Sequence, residues 1–178
     1  MHLPYETLEK GLLALPPAPK DEGSVVLVVA RPAVEERLTP ERCRLTPEEG
    51  VEGDRWGKRA SRNPQMQITV MRADVARLVA DGQPLSLFGD NLMVHLDLSR
   101  ANLPPGTRLR VGAALCEVTP EPHTGCGKFA ARFGQEARDF ANAPPFGDWR
   151  LRGLYIRVLE AGEVAPGDLI RVLSRPGG

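Results

Sequence analysis

Histidine and cysteine are scarce in this chain, three of each, and no second Cys-x-x-Cys or His-x-x-x-His pair accompanies them. Three thiols cannot all pair within one chain, so a dense disulfide framework of the secreted kind is excluded. A zinc site built on His123 and Cys126 lacks the paired motifs that normally complete such a ligand set. Net charge is also missing: 23 basic side chains balance 23 acidic ones. No global field draws nucleic acid or an anionic membrane surface, so neither is an expected partner and any anion site must be local. No apolar run approaches the roughly 20 residues that span a bilayer, and "MHLPYETLEKG" lacks the basic-then-apolar layout of a signal peptide. A cytoplasmic protein with free thiols is the expectation. There is no low-complexity tract and no true internal repeat.

What is present suffices for a packed core: 178 residues, 42% of them apolar, fit one domain better than two. Residues 1–23 read as an N-terminal helix, "YETLEKGLLAL", and a linker broken by prolines. Residues 24–173 read as the single domain, and 174–178 as a flexible tail. "SVVLVVA" (24–30) is a strand buried on both faces, ended by Arg31-Pro32. "MQITVM" (66–71) is a second strand, with Met66, Ile68 and Val70 on one face and Gln67 and Thr69 on the other. "MRADVARLVADG" puts Met71, Val75, Leu78 and Val79 on one helical face, with Gly82 as the stop. Two passages resemble each other, "LPPGTRLRVG" and "VAPGDLIRVL", each a Pro-Gly turn feeding a strand. With "AALCEVT" and "LYIRVLE" they predict a β-rich second half closing as a small barrel. The fold class expected is mainly β with a few short helices, an α+β chain. Phe129, Phe133, Ala137 and Phe140 recur at helical spacing over 127–141, and Gly134 splits or kinks that helix.

One stretch concentrates chemistry: "EPHTGCGKFAARFG" (121–134). If the helix begins at Gly127 or Lys128, Cys126 sits at its N-cap, where unpaired amides and the helix dipole favour a thiolate. Lys128 adds a cation, and His123 can lend another or accept the proton; these conditions lower a thiol pKa and sharpen its nucleophilic or metal-binding character. The alternative is that Cys126 packs as a small hydrophobe beneath Phe129 and Phe133. Local sequence leaves both open, together with a hydrolase using Cys126 as nucleophile and His123 as base. Cys43, Cys116 and His95 read as structural.

Taken in order, "GDRW" (53–56), "MQITV", "GDNL" (89–92), "DLSRANLPPGTRLRVGAALCEVT" (97–119), a Cys followed by "KF", "RG" (152–153) and "GEVAPGDLIRV" (162–172) resemble the MOSC domain, named for the C-terminal domain of molybdenum cofactor sulfurases. The resemblance implies a barrel-like fold that binds molybdopterin-type molybdenum cofactor. By the same resemblance Cys126 is the molybdenum ligand, as in the amidoxime-reducing relatives that reduce N-hydroxylated substrates; stand-alone bacterial relatives are linked to detoxifying N-hydroxylated purine analogues, and reduction of an N-hydroxylated small molecule with an electron-donating partner is the expectation. His123 and Lys128 would tune the site. Arg55, Arg152 and Arg150 would hold cofactor anions, with Lys58 and Arg59 as further candidates, and Asn91 would present its amide to the pterin. Pyridoxal phosphate is not expected on this chain, and loss of the molybdenum cofactor on isolation is. The resemblance also admits a non-enzymatic carrier of the cofactor or of a persulfide on Cys126; the residues alone admit a β-barrel binding module without molybdenum. Gly125 stands where the family pattern has Pro, and the additional N-terminal domain with which the amidoxime-reducing relatives enclose the cofactor is not expected here.

Overall fold

The computed structural model describes residues 2–178. Helix α1 (Tyr5–Ala14) leads into strands β1 (Glu22–Val28), β2 (Cys43–Thr46), β3 (Gly50–Val51) and β4 (Ile68–Arg72), then helix α2 (Ala73–Ala80) and β5 (Leu92–His95). Strands β6 (Arg108–Val111) and β7 (Ala114–Val118) follow, then helices α3 (Gly127–Phe133) and α4 (Gln135–Ala141), and finally β8 (Leu154–Glu160), β9 (Gly162–Val164) and β10 (Leu169–Ser174). Seven strands close a barrel in the order β1-β10-β6-β7-β8-β4-β5, with β5 returning to β1. A small sheet, β3-β2-β9, stands beside it.

The barrel takes two strands, β1 and β4, from the first half of the chain, so closure is not the work of the second half alone. The two similar Pro-Gly passages become β6 and β10, which pair antiparallel, Ile170 opposite Val111 and Val172 opposite Leu109. Only β4 and β5 run parallel among the barrel pairs. A parallel pair cannot be joined by a tight turn, and α2 with the turns after it supplies the crossover.

Alternation along the strands, interrupted in β1 by a register shift between Val25 and Leu27, divides the apolar residues between two cores. Val70, Leu92, Val94, Leu109, Cys116 and Ile156 fill the barrel. Met71 and Met93 point outward and are covered by Leu8 of α1, Val75 and Val79 of α2, and Phe129, Phe133 and Phe140 of the split helix. That helix breaks at Gly134, whose φ of 94° is open to glycine and costly for other residues. Strand β1 is covered on both sides as its composition predicts, Val25 and Val28 facing the barrel and Val26 and Leu27 the helical layer.

Four details differ from the sequence reading. β1 is already paired at Glu22, before the expected boundary at 24, because Glu22 and Arg171 are cross-strand partners. Met66 is not in the strand: Asn63 caps a 3-10 turn over Pro64–Met66 and leaves Met66 exposed. Met71 belongs to β4 rather than α2, and the helix ends at Asp81 in the left-handed region, one residue before Gly82. The expected tail is held at Arg175, whose guanidinium donates to Asn102 and Lys20 carbonyls and to Asp21.

Candidate functional site

Two Gly-Asp turns bring a buried carboxylate each to one end of the barrel. In the first, Asp54 caps a short turn by accepting the Trp56 amide at 2.9 Å. It also accepts the backbone and side chain of Arg31, Nε at 2.9 Å, and the Asn91 amide at 2.9 Å. The other Asn91 amide hydrogen goes to the Val29 carbonyl, while its Oδ1 takes the Thr69 amide and an Arg31 nitrogen. Asn91 is buried and its donors are spent, which corrects the expectation that it presents its amide to a ligand: it braces the wall from behind.

In the second turn Gly89 adopts a φ of 74° and lies against the Arg37 guanidinium. Asp90, fully buried, pairs with Arg152 Nη1. Arg152 also lies over the Phe129 ring, 5.1 Å from its centroid, a cation–π contact strengthened by burial. Asp90 Oδ1 faces His123 Nδ1 at 3.7 Å, too far for a hydrogen bond. His123 is itself packed on Tyr155, ring centroids 4.8 Å apart. Burial pushes His123 down to about 4, with the Arg152 and Arg31 charges acting the same way and Asp90 opposing. The imidazole is therefore neutral at pH 7 and lends no cation.

Cys126 is the N-cap of α3 and is exposed. Partial burial pushes its thiol up, but the amides of Phe129 and Lys128 and the charge of Arg152 outweigh this and hold it below the usual thiol value. The two other thiols are inert by contrast: burial raises Cys43 to about 11 and Cys116 to about 12. Of the flanking glycines, Gly127 faces open space, whereas Gly125 is packed. Its N–H donates to Asn142 Oδ1 at 2.8 Å and its carbonyl accepts Asn142 Nδ2 at 2.9 Å. A proline at 125 has no N–H for the first of these bonds; here Asn142 fixes the turn that a proline would stiffen.

These parts line one cleft of about 130 Å³. Cys126, His123, Lys128, Arg55 and Arg152 meet in it, joined by Arg31, Arg37 and Arg132, against the carboxylates of Glu35, Glu36 and Asp90. Nε of Arg37, Arg55 and Arg152 is buried with no acceptor, and so is His123 Nδ1. Arg150 lies elsewhere, in an adjoining cleft that shares His123 and Arg152, and donates to the Leu98 and Leu103 carbonyls. Arg59 lines a third hollow with Trp56 and Tyr155; Lys58 ends the short turn over Arg55–Lys58. Sequence reasoning missed Arg31, Arg37, Arg132 and the two aspartates. The repeated Gly-Asp pair was the available signal for Asp54 and Asp90. Nothing local marks Arg37 or Arg132, which the fold brings in from a loop and from α3.

The MOSC domain model matches residues 54–171, a stretch that includes both Gly-Asp turns' carboxylates and Cys126. The chain belongs to the MOSC domain family. Solved structures share the fold of this MOSC protein. YiiM from Escherichia coli is 21% identical with a TM-score of 0.58, over 87% of this chain and 72% of that one. The YUAD protein from Bacillus subtilis is 16% identical with a TM-score of 0.58, over 85% of this chain and 95% of that one. YiiM from Geobacillus stearothermophilus is 17% identical with a TM-score of 0.53, over 91% and 78%. No curated protein is significantly similar in sequence. Among the described residues no helix is long and apolar enough to cross a membrane, and no three His, Cys, Asp or Glu side chains gather as a metal-binding group.

Proposed function

We propose that this MOSC protein binds a molybdopterin-type molybdenum cofactor in the cationic cleft, with the Cys126 sulfur as a metal ligand, and reduces N-hydroxylated small molecules in the cytoplasm. One observation carries the reading: an exposed thiol of lowered pKa stands in the wall of a cleft whose buried guanidinium nitrogens lack acceptors. The donor set fits such a group, since thiolate is a soft ligand suited to molybdenum and guanidinium forks suit phosphate oxygens.

When bound, the cofactor would supply a two-electron redox couple. The chain's own residues bind and orient. Cys126 offers the sulfur, and the amides that lower its pKa keep it deprotonated more of the time. Arg55 and Arg152 would meet cofactor oxygens, and Lys128 would add charge at the rim. Neutral His123 narrows the floor between this cleft and its neighbour, where a small substrate can approach. The reaction balances as R–NHOH plus two electrons and two protons giving R–NH2 and water, so an electron-donating partner protein is required.

The test is metal content after expression in a cofactor-competent host. Wild type should carry molybdenum and Cys126→Ala should lose it; molybdenum unchanged in the variant overturns the ligand assignment. The exposure of Cys126 favours one second reading, a carrier that holds cofactor or a persulfide for transfer. A stable persulfide by mass spectrometry, with no turnover of hydroxylamines by the molybdenum-loaded protein and a reduced donor, selects it.

A further inference from the structure

One of the carboxylates lining the cationic cleft reaches its cations from an exposed loop. Glu35 lies on the loop between Arg31 and Leu38, and its φ of 62° places a non-glycine residue in the left-handed region, a conformation that persists only where surrounding contacts hold it. Those contacts are visible. Both Glu35 carboxylate oxygens accept from Arg132 Nη2, at 2.8 and 2.9 Å. Arg37 Nη1 is 3.7 Å away, and Lys128 acts on the same carboxylate from the rim. Arg55 feels the charge of Glu35 as well, so the carboxylate sits within the field of four cations that line one cleft.

Two further facts show that the carboxylate does not complete this cluster. Nε of Arg37 and Nε of Arg55 remain buried without an acceptor, although an unsatisfied buried donor is costly and native structures rarely leave one. Glu35 meanwhile is 60% exposed, so it leaves the cluster for water at little desolvation cost, while Arg132 and Arg37 are only 19% and 14% exposed and stay. A carboxylate has two oxygens; a phosphate monoester offers three terminal ones and a second negative charge, enough to reach the donors that Glu35 leaves unmet.

We propose that Arg37, Arg55 and Arg132 form the oxyanion subsite of this cleft, specific for a phosphate group, and that Glu35 is its built-in competitor, displaced outward on its loop when the phosphate enters. The proposal rests on the reading of the cleft as the cofactor site, but it concerns the phosphate end alone and holds whether or not molybdenum is present. Its consequence is an exchange device. Glu35 keeps the cations from repelling one another in the empty chain, weakens the hold on the phosphate, and offers a replacement anion as the ligand leaves.

The experiment titrates inorganic phosphate into cofactor-free protein at low ionic strength, by calorimetry, for wild type, Glu35→Gln and Arg132→Gln. Removing one negative charge a few ångströms from the bound phosphate should tighten binding roughly tenfold, the scale of one charge pair at a partly hydrated site. Arg132→Gln should weaken it by a similar factor. Thermal midpoints within a few degrees of wild type for both variants establish that the fold is intact. Phosphate bound no more tightly by Glu35→Gln than by wild type overturns the competitor role and leaves the cofactor reading standing. Unchanged affinity in Arg132→Gln removes Arg132 from the subsite. Absence of phosphate binding by every form overturns the subsite and takes the anionic half of the cofactor reading with it.

Discussion

Replacing Asp54 by alanine should cost the protein about 3 kcal/mol of folding stability, a figure set by removing one partner of a buried, hydrogen-bonded ion pair. The carboxylate is almost fully buried and accepts from Arg31 three times, from the Trp56 amide and from Asn91. Truncation leaves the Trp56 and Asn91 donors without acceptors and Arg31 without its counter-ion. Because the Arg31 side chain keeps 20% exposure and can draw in water, the lower end of the usual range of about 3–5 kcal/mol applies. Urea unfolding followed by circular dichroism at pH 7 measures the loss. The pH dependence adds a second reading. Burial pushes the Asp54 carboxyl up, but the Arg31 side chain and the Trp56 and Arg31 amides outweigh it and hold the group below the ordinary carboxylate value. A folded-state pKa below the unfolded one means the contribution is complete above the unfolded value, about 3.9, and fades as pH falls through the folded value. The gap between wild type and Asp54→Ala should therefore be widest at neutral pH and close in acid. A loss under about 1 kcal/mol at pH 7, the scale of an exposed pair, would refute this account of the wall.

The other expectations are more local. Iodoacetamide at neutral pH should label Cys126 long before Cys43 or Cys116, whose thiols burial has raised to about 11 and about 12; peptide mass spectrometry showing comparable rates would contradict the site's electrostatics. The His123 imidazole, pushed down to about 4 by burial, should show no titration by NMR between pH 6 and 8. Its folded pKa lies below the unfolded value of about 6.5, so acidification from there toward 4 favours the unfolded chain, which takes the proton first. His123→Gln should flatten that part of the stability profile, and an unchanged slope would place the titrating group elsewhere. Gly153 has a φ of 95°, and a Cβ there would run into the Val70 carbonyl of β4. Gly153→Ala should cost roughly 2 kcal/mol or more in thermal or urea unfolding, since the obstacle is backbone rather than a flexible side chain; a neutral result would refute the tight approach of residue 153 to β4.

The barrel was legible where one period settled the face a residue took. Ile68 and Val70 alternate with Thr69, and Pro-Gly turns announced β6 and β10. The split of the second helical stretch at Gly134 was legible from the glycine itself, whose missing Cβ opens a left-handed backbone that ends a helix even though the apolar spacing runs on across it. Met66 was misplaced and Met71 was assigned to both strand and helix because both sit at element joints, where an Asn-Pro turn and a strand-to-helix switch override periodicity. At the site, the N-cap position of Cys126 could be read from its own neighbours, since a cap depends on a few adjacent residues, whereas the choice between reactive thiol and packed hydrophobe could not. Arg37 and Arg132 could not: they come from a loop and from α3, nearly a hundred positions apart in sequence, and only the packing of Phe133 on Phe88 (ring centroids 4.0 Å apart) and of Arg37 on Gly89 brings them to one cleft. Asn91 failed in the opposite sense. A polar residue in a tight turn resembles a ligand donor until its own hydrogen bonds are counted.

A chain with no net charge can still hold a strongly positive cleft because it neutralises its buried cations one by one and leaves selected ones over. Arg31 is matched by Asp54, Arg152 by Asp90 and Arg132 by Glu35. Arg55 and Lys128 have no carboxylate within 4.0 Å among the described residues, and Arg37 has only the distant edge of Glu35. The first two matches cannot be traded away, since both carboxylates are buried and breaking either pair strands a charge. The third can, because Glu35 is mostly in water. The cleft thus has a fixed wall, Arg31–Asp54 and Arg152–Asp90, and a movable counter-charge facing it. In the proposed subsite an anionic ligand would meet Arg55 and Lys128, unpaired but within the field of Glu35, and would gain Arg132 only by displacing that carboxylate, so its affinity would be set there while the wall beside Cys126 stays fixed.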